Sequence, residues 1–310
     1  MKIVILDGYT TNPGDLSWDA LAALGELVVY DRTPVELAAQ RMTGFDAVYT
    51  NKVPMTAELM DKCPHLKFIG VLATGYNIID TAAARARGIT VCNVPAYSTL
   101  SVAQITFALI LELTNAVGVH SAAVKAGEWQ KIKDFCFWIT PVTELAEKTI
   151  GLLGYGAIGK AVAAAARAFG MKVLFNTPSM REGAVSLDEL LEKSDIVSLH
   201  CPLTPENKKM FNAEKFAKMK KGAFFINTAR GGLVDEEALA DALNSGHLGG
   251  AGLDVMDSEP PKAGNPLLSA KNIVITPHIG WASKEARQRL IDVSVNNLKA
   301  FLSGQPINRV

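Results

Sequence analysis

Three polar side chains, Arg230, Glu259 and His278, each come shortly after an apolar run that is typical of a buried strand. Histidine exchanges a proton near neutral pH, and a neighbouring carboxylate favours its charged form and fixes its orientation. Arginine binds an acidic group through paired, charge-assisted hydrogen bonds. We therefore predict that Arg230, Glu259 and His278 form a catalytic set that acts on a small acid.

A strand, a glycine-rich turn, a helix and a second strand are predicted in that order over residues 149–177. The turn, GYGAIG at 154–159, matches the pattern G-x-G-x-x-G. In this context Gly154 permits a tight turn, Gly156 lets a pyrophosphate approach the backbone, and Gly159 lets helix and strand pack closely. The helix N-terminus offers unpaired N–H groups to the phosphates. The predicted cofactor contacts of this turn are Gly154, Gly156, Ala157, Ile158 and Gly159.

Strands alternate with helices over residues 1–98 and again from residue 149 onward, a pattern that predicts parallel sheets. Ligands of such sheets lie beyond the carboxyl ends of the strands, so the catalytic set is expected at the cofactor's edge of the second sheet. The turn Thr74-Gly75, after a first-domain strand, is the candidate for binding a substrate carboxylate through backbone N–H groups. Its alternative interpretation is a plain turn between a strand and a helix.

The predicted fold is α/β, with two doubly wound parallel-sheet domains. A Rossmann cofactor domain at 99–285 is inserted into a flavodoxin-like substrate domain built from 1–98 and 286–310, because the long final helix can return to the first domain. The long apolar stretch at 98–118 predicts one buried helix. Residues 119–148 are predicted to be irregular.

Aromatic side chains are concentrated in that irregular segment, as Trp129, Phe135, Phe137 and Trp138. They favour either an arm that packs on a partner subunit or a cover for the chain's own core. Large apolar patches usually mark interfaces, so we predict a homodimer built around residues 99–145.

Composition excludes several function classes. Of 310 residues, 49% are hydrophobic and 20% charged, as in an ordinary globular protein, and the 31 basic and 31 acidic side chains balance. This balance argues against nucleic acid or a membrane surface as partner. The N-terminus does not resemble a signal peptide, and no run reaches the roughly 18 apolar residues of a membrane span. The four cysteines are far apart, which predicts a cytoplasmic protein without disulfides or a bound metal.

Several longer motifs, together with the glycine turn, give the chain a family resemblance. These are ATGYNIID at 73–80, YSTLSVAQITFALILEL at 97–113, HCPLT at 200–204, NTARGGLVDEEAL at 227–239, GLDVMDSEPP at 252–261 and TPHIGWAS at 276–283. Through them the chain resembles the D-isomer-specific 2-hydroxyacid dehydrogenases over nearly its whole length. The resemblance implies an NAD(P)-dependent enzyme that interconverts small 2-keto acids and D-2-hydroxy acids, and it implies Arg230, Glu259 and His278 as the catalytic residues.

The resemblance also implies further contacts. Thr74, Gly75 and Trp281 would lie at the substrate together with Arg230 and His278, and Asp254 would lie near the nicotinamide carboxamide. The remaining residues expected to line the cofactor are His200, Cys201, Pro202, Thr228, Ala229, Arg230, His278 and Gly280.

Within the family, Trp281 after PHIG, FCFW at 135–138 and TNKVPMTAE at 50–58 look most like glycerate dehydrogenases, also called hydroxypyruvate reductases. Hydroxypyruvate and glyoxylate are therefore the expected substrates. Phosphoglycerate and D-lactate dehydrogenases remain alternatives, whereas a Glu–His pair in place of Gln–His disfavours formate dehydrogenase. The alternative from another class is a cofactor-sensing corepressor.

Cofactor preference depends on the residue that ends the second cofactor strand, where NAD-specific members usually carry an acid that holds the ribose 2′-hydroxyl. This chain has Thr177 there, with Ser179 and Arg181 close by. Threonine does not repel a 2′-phosphate, and arginine attracts one. The sequence therefore predicts use of NADP, or of both cofactors, over strict use of NAD.

Overall fold

The computed structural model describes residues 1–179 and 182–310, which form two compact units. One unit consists of Met1–Ser98 with Ala282–Val310, and the other consists of Thr99–Trp281. The chain leaves the first unit once and returns to it once, so the second unit is an insertion within the first.

The first unit contains a five-stranded parallel sheet in the order β2-β1-β3-β4-β5. Its elements up to residue 98 are β1 (Lys2–Ile5), α1 (Asp19–Ala22), β2 (Glu26–Val29), α2 (Val35–Met42), β3 (Ala47–Thr50), α3 (Ala57–Asp61), β4 (Phe68–Val71), α4 (Thr81–Ala86) and β5 (Thr90–Cys92). This is the strand order of flavodoxin-like folds, and it reverses direction between β1 and β3. Every residue of β3 and β4 is buried, as expected where helices cover both faces of a parallel sheet.

The second unit contains a six-stranded parallel sheet in the order β11-β10-β9-β8-β6-β7. Its elements are α5 (Thr99–Asn115), α6 (Val117–Lys125), β6 (Thr149–Leu153), α7 (Ala157–Ala168), β7 (Lys172–Asn176), α8 (Leu187–Lys193), β8 (Ile196–Leu199), α9 (Ala213–Lys218), β9 (Phe224–Asn227), α10 (Glu236–Asn244), β10 (Gly250–Leu253) and β11 (Ile273–Ile275). Strand order reverses between β6 and β8, so the loops after these two strands form the crevice where ligands of such sheets bind.

The final helix, α11 (Lys284–Leu302), belongs to the first unit. The Ser283 hydroxyl accepts a hydrogen bond from the Ala286 N–H and thereby caps the helix. Leu290, Ile291 and Leu298 are buried at helical spacing. The predicted α/β class with two doubly wound parallel sheets is confirmed.

The prediction of one helix over 98–118 is wrong, because the helix breaks at Ala116, whose φ is 46°. The backbone turns there, and α6 begins at Val117 and continues to Lys125, into the segment that we predicted to be irregular. The Glu112 carboxylate accepts the Gly118 N–H at 3.2 Å and so caps α6 from the preceding helix. Because the capping carboxylate lies six residues upstream, the N-cap position of α6 does not carry one of the polar residues that usually mark the start of a helix.

Residues after α6 expose their aromatic side chains. Phe135 is 89% exposed, Trp138 is 69% exposed and Trp129 is 46% exposed, so these rings do not cover the core of their own unit. The backbone of this arm is tied to α6, because Nε2 of His120 accepts the Ile139 N–H at 3.0 Å. No single helix among residues 1–179 and 182–310 is long and apolar enough to cross a membrane, and the apolar pair α5 and α6 bends by 57°.

Candidate active site

Three neighbouring strands of the second unit place the predicted catalytic set. Arg230 follows β9, Glu259 follows β10 and His278 follows β11, and β9, β10 and β11 are hydrogen-bonded in that order. The strands are parallel, so all three loops leave the sheet at its carboxyl edge. This edge also carries the glycine turn after β6.

Glu259 and His278 form a direct pair. Nδ1 of His278 lies 2.7 Å from Oε2 of Glu259, while Oε1 of Glu259 accepts the Met256 N–H at 3.1 Å. The carboxylate can only accept, so the hydrogen of this bond belongs to Nδ1. Nε2 is therefore the ring atom left to exchange a proton. The two side chains are 31% and 33% exposed, which leaves the pair open to a small substrate.

A buried carboxylate fixes the loop that carries His278. Asp254 is 2% exposed, and it accepts hydrogen bonds from the Thr276 hydroxyl at 2.6 Å, the Ile279 N–H at 2.9 Å and the Gly280 N–H at 2.7 Å. A Cβ on Gly280 would come within 2.8 Å of the Asp254 Oδ2 atom, so this approach requires glycine. The Asp254 carboxylate thus accepts three hydrogen bonds from the His278 loop, and its contact with the nicotinamide stays a prediction.

Arg230 presents an unpaired cation at the same edge. Its guanidinium donates to the Ala229 carbonyl at 2.7 Å and has no carboxylate partner within the described residues. The Asn227 side chain accepts the Ala229 N–H and donates to the Arg230 carbonyl, which fixes the backbone of this turn. The Thr228 hydroxyl lies 3.0 Å from that of Thr106 on α5. The guanidinium makes no hydrogen bond to Glu259 or His278 and remains available for an anionic ligand.

The turn between β6 and α7 suits a dinucleotide. Gly154 has a φ of 97°, and a Cβ there would come within 2.6 Å of the His200 carbonyl. A Cβ on Gly159 would lie 2.3 Å from the Gly154 oxygen. A Cβ on Gly156, by contrast, would have no atom of the surrounding protein within 4 Å. Gly156 is also the N-cap of α7 and supplies no side-chain acceptor, so the first N–H groups of this 12-residue helix are free for a phosphate. These residues fit the pyrophosphate of NAD or NADP.

Thr177 directly follows β7, at the position predicted to meet the ribose. It is 6% exposed, and its hydroxyl is buried without a hydrogen-bond partner within the described residues. An unsatisfied buried hydroxyl is unfavourable, and a bound ligand can supply the missing partner. Ser179 is exposed. Arg181 lies outside the described residues.

The loop after β8 lies against the glycine turn. Burial lowers the pKa of His200 to about 4, which keeps its imidazole neutral, and its Nε2 atom lies 2.9 Å from the Ser198 hydroxyl. Burial raises the pKa of the Cys201 thiol to about 11, so it is not a nucleophile at neutral pH. The Pro202 carbonyl accepts the Asn207 side chain at 2.8 Å. The described contacts of this loop are therefore with other parts of the protein. Its backbone remains the part that is predicted to line the cofactor.

The turn Thr74-Gly75, which was predicted to bind a substrate carboxylate, lies in the first unit. The Thr74 hydroxyl donates to the Val94 carbonyl at 2.7 Å, and the Asn93 amide donates to the Thr74 carbonyl at 2.7 Å. Because the hydroxyl and carbonyl of Thr74 are both hydrogen-bonded, Thr74 fixes the turn, and the Gly75 N–H is the group predicted to bind a carboxylate. Trp281, also predicted at the substrate, is the half-buried last residue of the second unit.

Two supporting residues were missed by sequence reasoning. Asn227 fixes the Arg230 turn, and Thr276 is bonded to the carboxylate that fixes the His278 loop. The signal for Asn227 was present, because an asparagine that ends a strand often bonds to the backbone two residues later. Thr276 gave no comparable signal, since its partner is 22 residues away.

The outer face of α5 and α7 is apolar. Between the two helices lies a groove of about 520 Å³, lined by residues such as Leu100, Phe107 and Phe169. Leu100 is 71% exposed and Phe169 is 44% exposed. Together with Phe135 and Trp138, they leave much apolar surface on this unit in contact with water.

Comparison with known proteins agrees with this geometry. The family model for the D-isomer specific 2-hydroxyacid dehydrogenase, NAD binding domain, matches residues 107–280. A hydroxypyruvate reductase from Blautia hydrogenotrophica is 51% identical, covering 100% of this chain and 99% of that protein. A glycerate dehydrogenase from Methylorubrum extorquens is 46% identical, covering 90% and 89%.

Among solved structures, an NADPH-dependent glyoxylate/hydroxypyruvate reductase from Sinorhizobium meliloti, in complex with NADP and malonate, is similar with a TM-score of 0.84. It is 31% identical, and the match covers 100% of this chain and 96% of that chain.

Proposed function

This chain belongs to the D-isomer-specific 2-hydroxyacid dehydrogenase family, and we propose that it reduces hydroxypyruvate to D-glycerate and glyoxylate to glycolate. As a member it is an NAD(P)-dependent oxidoreductase that interconverts small 2-keto acids and D-2-hydroxy acids. The substrate assignment is supported by the names of its full-length relatives, a hydroxypyruvate reductase and a glycerate dehydrogenase. The observation that carries the chemistry is the 2.7 Å bond between Glu259 and His278.

In the proposed mechanism a bound NADH or NADPH would supply the hydride that adds to C2 of the keto acid. His278 donates the proton on Nε2 to the carbonyl oxygen, since Nδ1 is committed to Glu259. Glu259 stabilises the imidazolium and holds the ring in place. Arg230 anchors the substrate carboxylate and polarises the carbonyl through charge-assisted hydrogen bonds. Within the first unit, the Gly75 backbone is the group that we propose for binding a carboxylate.

The cofactor is held, in this proposal, by the glycine turn and the free N-terminus of α7. NADPH is used at least as well as NADH, because Thr177 places no negative charge at the 2′ position of the ribose. The unpaired, buried Thr177 hydroxyl supports a ligand contact there. The NADP complex of the Sinorhizobium meliloti reductase is consistent with this preference.

The proposed assembly is a cytoplasmic homodimer in which the second copy covers the apolar face of α5 and α7 and the arm around Phe135. Exposed aromatic side chains on the inserted unit support this assignment, since apolar patches of this kind usually mark interfaces. Neither nucleic acid nor a membrane surface is proposed as a partner.

The test is a panel of hydroxypyruvate, glyoxylate, pyruvate and phosphohydroxypyruvate, each supplied with NADH and with NADPH, followed by loss of the reduced cofactor's absorbance. We expect the highest kcat/KM for hydroxypyruvate, followed by glyoxylate.

The variant His278→Gln should lower kcat by about 10²–10⁴-fold, which is the usual contribution of a general acid, while cofactor binding is retained. Preferred turnover of pyruvate or phosphohydroxypyruvate would contradict the substrate assignment, and near-normal turnover by the variant would contradict the role of His278.

A further inference from the structure

The second unit has a cavity at the edge of its sheet opposite to the glycine turn. The cavity has a volume of about 230 Å³, and its lining includes Lys148 directly before β6, Asp195 directly before β8 and Ala223 directly before β9. These strands are parallel, so their amino ends meet at one edge of the sheet. The five-residue strand β6 separates this edge from the glycine turn by roughly 16 Å. The cavity therefore lies outside the crevice predicted to hold the cofactor.

Lysine side chains dominate the charge of this cavity. Lys148, Lys220 and Lys221 line it, and Asp195 is the one acidic residue among the described residues of the lining. The other lining residues are uncharged. Three positive charges and one negative charge give the lining a net charge of +2 at neutral pH.

The Asp195 carboxylate collects donors from this lining. Its Oδ1 atom accepts the Lys220 ammonium at 2.9 Å, and its Oδ2 atom accepts the Thr149 N–H at 2.8 Å. Burial raises the pKa of the Asp195 carboxyl, but the Thr149 N–H, Lys220 and the positive charge of Lys148 lower it further, so the net shift is downward. The Lys148 ammonium is thus close enough to act on the carboxylate that Lys220 contacts.

The charges of Lys148 and Lys221 are left without an acidic partner. Neither ammonium is in an ion pair within residues 1–179 and 182–310. The Glu147 carboxylate, next to Lys148 in the chain, is paired with Lys172 at 2.9 Å. Both oxygens of Asp195 are already hydrogen-bonded. Like charges around one cavity repel each other, so an anion bound between them would be stabilising.

The chemistry and size of the cavity favour a small, doubly charged anion. Ammonium groups only donate hydrogen bonds, and lysine binds phosphate as a point charge. The half-buried Thr143 adds a hydroxyl to the lining. A volume of 230 Å³ is below the roughly 300–1,000 Å³ of sites for drug-sized ligands, which excludes a dinucleotide. A phosphate group carries about 1.5 to 2 negative charges at neutral pH, which matches the net charge of the lining.

We propose that this cavity is a binding site for a phosphate group, either free phosphate or a small phosphate monoester, held by Lys148, Lys220 and Lys221. The anion stabilises the second unit because it neutralises the like charges at the amino edge of the sheet. The site is independent of the proposed function, since it uses none of the residues assigned to the cofactor or the keto acid.

The test is a titration of the melting temperature at constant ionic strength with inorganic phosphate and, separately, with glycerol 3-phosphate. NADP is present at a saturating level, so that the glycine turn is occupied. A ligand that binds only the folded state raises the melting temperature as its concentration increases. We expect a saturable rise for the wild type. Tighter binding of glycerol 3-phosphate would identify the ligand as a monoester, and tighter binding of inorganic phosphate would identify it as the free anion.

Lys148→Met combined with Lys221→Met should raise the apparent Kd for phosphate at least about tenfold, the size of one lost hydrogen bond to a charged group. Lys148→Arg combined with Lys221→Arg keeps both charges and should retain most of the affinity. Each pair of substitutions should leave kcat/KM for the keto acid unchanged, because the cavity lies at the opposite edge from Arg230 and His278.

Lys271→Met is the matched control, since Lys271 is an exposed lysine shortly before β11 and does not line the cavity. It should leave the Kd unchanged. A wild type without a saturable rise, or an equal rise in the variant with two methionines, would overturn the site. A wild type that binds phosphate here but reduces no keto acid would contradict the proposed function and leave this site intact.

Discussion

The Nδ1 atom of His278 and the Oε2 atom of Glu259 lie 2.7 Å apart, although 19 positions separate the two residues in the chain. His278 has a φ of 54°, a left-handed conformation that few residues other than glycine adopt. The Asp254 carboxylate supports this conformation by bonding the N–H groups of the next two residues, Ile279 and Gly280. Hydrogen bonds to the buried Asp254 carboxylate thus hold the loop that carries His278.

Glu259→Gln should lower kcat for hydroxypyruvate by about 10²-fold, the low end of a general acid's contribution. A neutral amide keeps much of the shape but does not stabilise the imidazolium, and its NH2 group competes for the place at Nδ1. The measurement is steady-state kcat together with cofactor affinity from fluorescence titration, which should not change. Glu237→Gln, at an exposed position on α10, serves as control. If both variants turn over at the wild-type rate, Glu259 is only structural.

Arg230→Lys should lower kcat/KM for the keto acid steeply while the cofactor dissociation constant changes little. Lysine keeps the charge but lacks the planar fork that binds a carboxylate through two bonds. The Asn227 contacts of this turn involve the backbone, so the substitution leaves the turn in place. The opposite result, with cofactor binding lost and keto-acid saturation intact, would make Arg230 a cofactor ligand.

His200 should make the protein less stable in mild acid. Burial lowers its pKa from 6.5 to about 4, so the unfolded chain binds more protons than the folded chain between these values. Folding stability therefore falls as the pH drops from 6.5 towards 4, and the loss from this one group is about 2 kcal/mol at pH 5. Melting temperatures at neutral pH and at pH 5 should differ more for wild type than for His200→Gln. Equal differences would show that His200 does not contribute.

Thr177→Asp should shift preference towards NADH by about tenfold, equivalent to roughly 1.4 kcal/mol. The new carboxylate places negative charge where a 2′-phosphate would lie and offers an acceptor to a ribose hydroxyl. The measurement is kcat/KM for NADH and NADPH in wild type and variant, with melting temperature as a check on folding at this buried position. A wild-type enzyme that strongly prefers NADH would show that the missing acid does not set the preference.

Light scattering at micromolar concentration should give twice the mass of the 310-residue chain. Leu100→Lys combined with Trp138→Lys should weaken this dimer, because each places a charge on the apolar face predicted to be covered. Val35→Lys is the matched control, since Val35 is 63% exposed on α2 of the other unit. A wild-type monomer would refute the assembly, and a dimer unaffected by the double change would move its interface elsewhere.

Local patterns of the sequence were sufficient for much of this molecule. In the turn GYGAIG, a Cβ on Gly154 would clash with the backbone of His200, and a Cβ on Gly159 would clash with the oxygen of Gly154. These two positions therefore require glycine, and the requirement is visible in the sequence as a short motif. The alternation of strands and helices predicted the α/β class, and parallel strands bring the loops that carry Arg230, Glu259 and His278 to one edge. The catalytic roles of these residues remain predictions.

Contacts between distant segments were decided only by the tertiary structure. The sequence by itself determined which residues could do chemistry and on which edge of the sheet they would lie, since periodicity and strand ends are local properties. It did not determine that Asp254 would hold the His278 loop, that Asp195 would pair with Lys220, or that α5 would end at a left-handed Ala116. Each of these features depends on a contact between groups that come together only when the chain folds. The spacing of residues in the sequence does not specify such a contact.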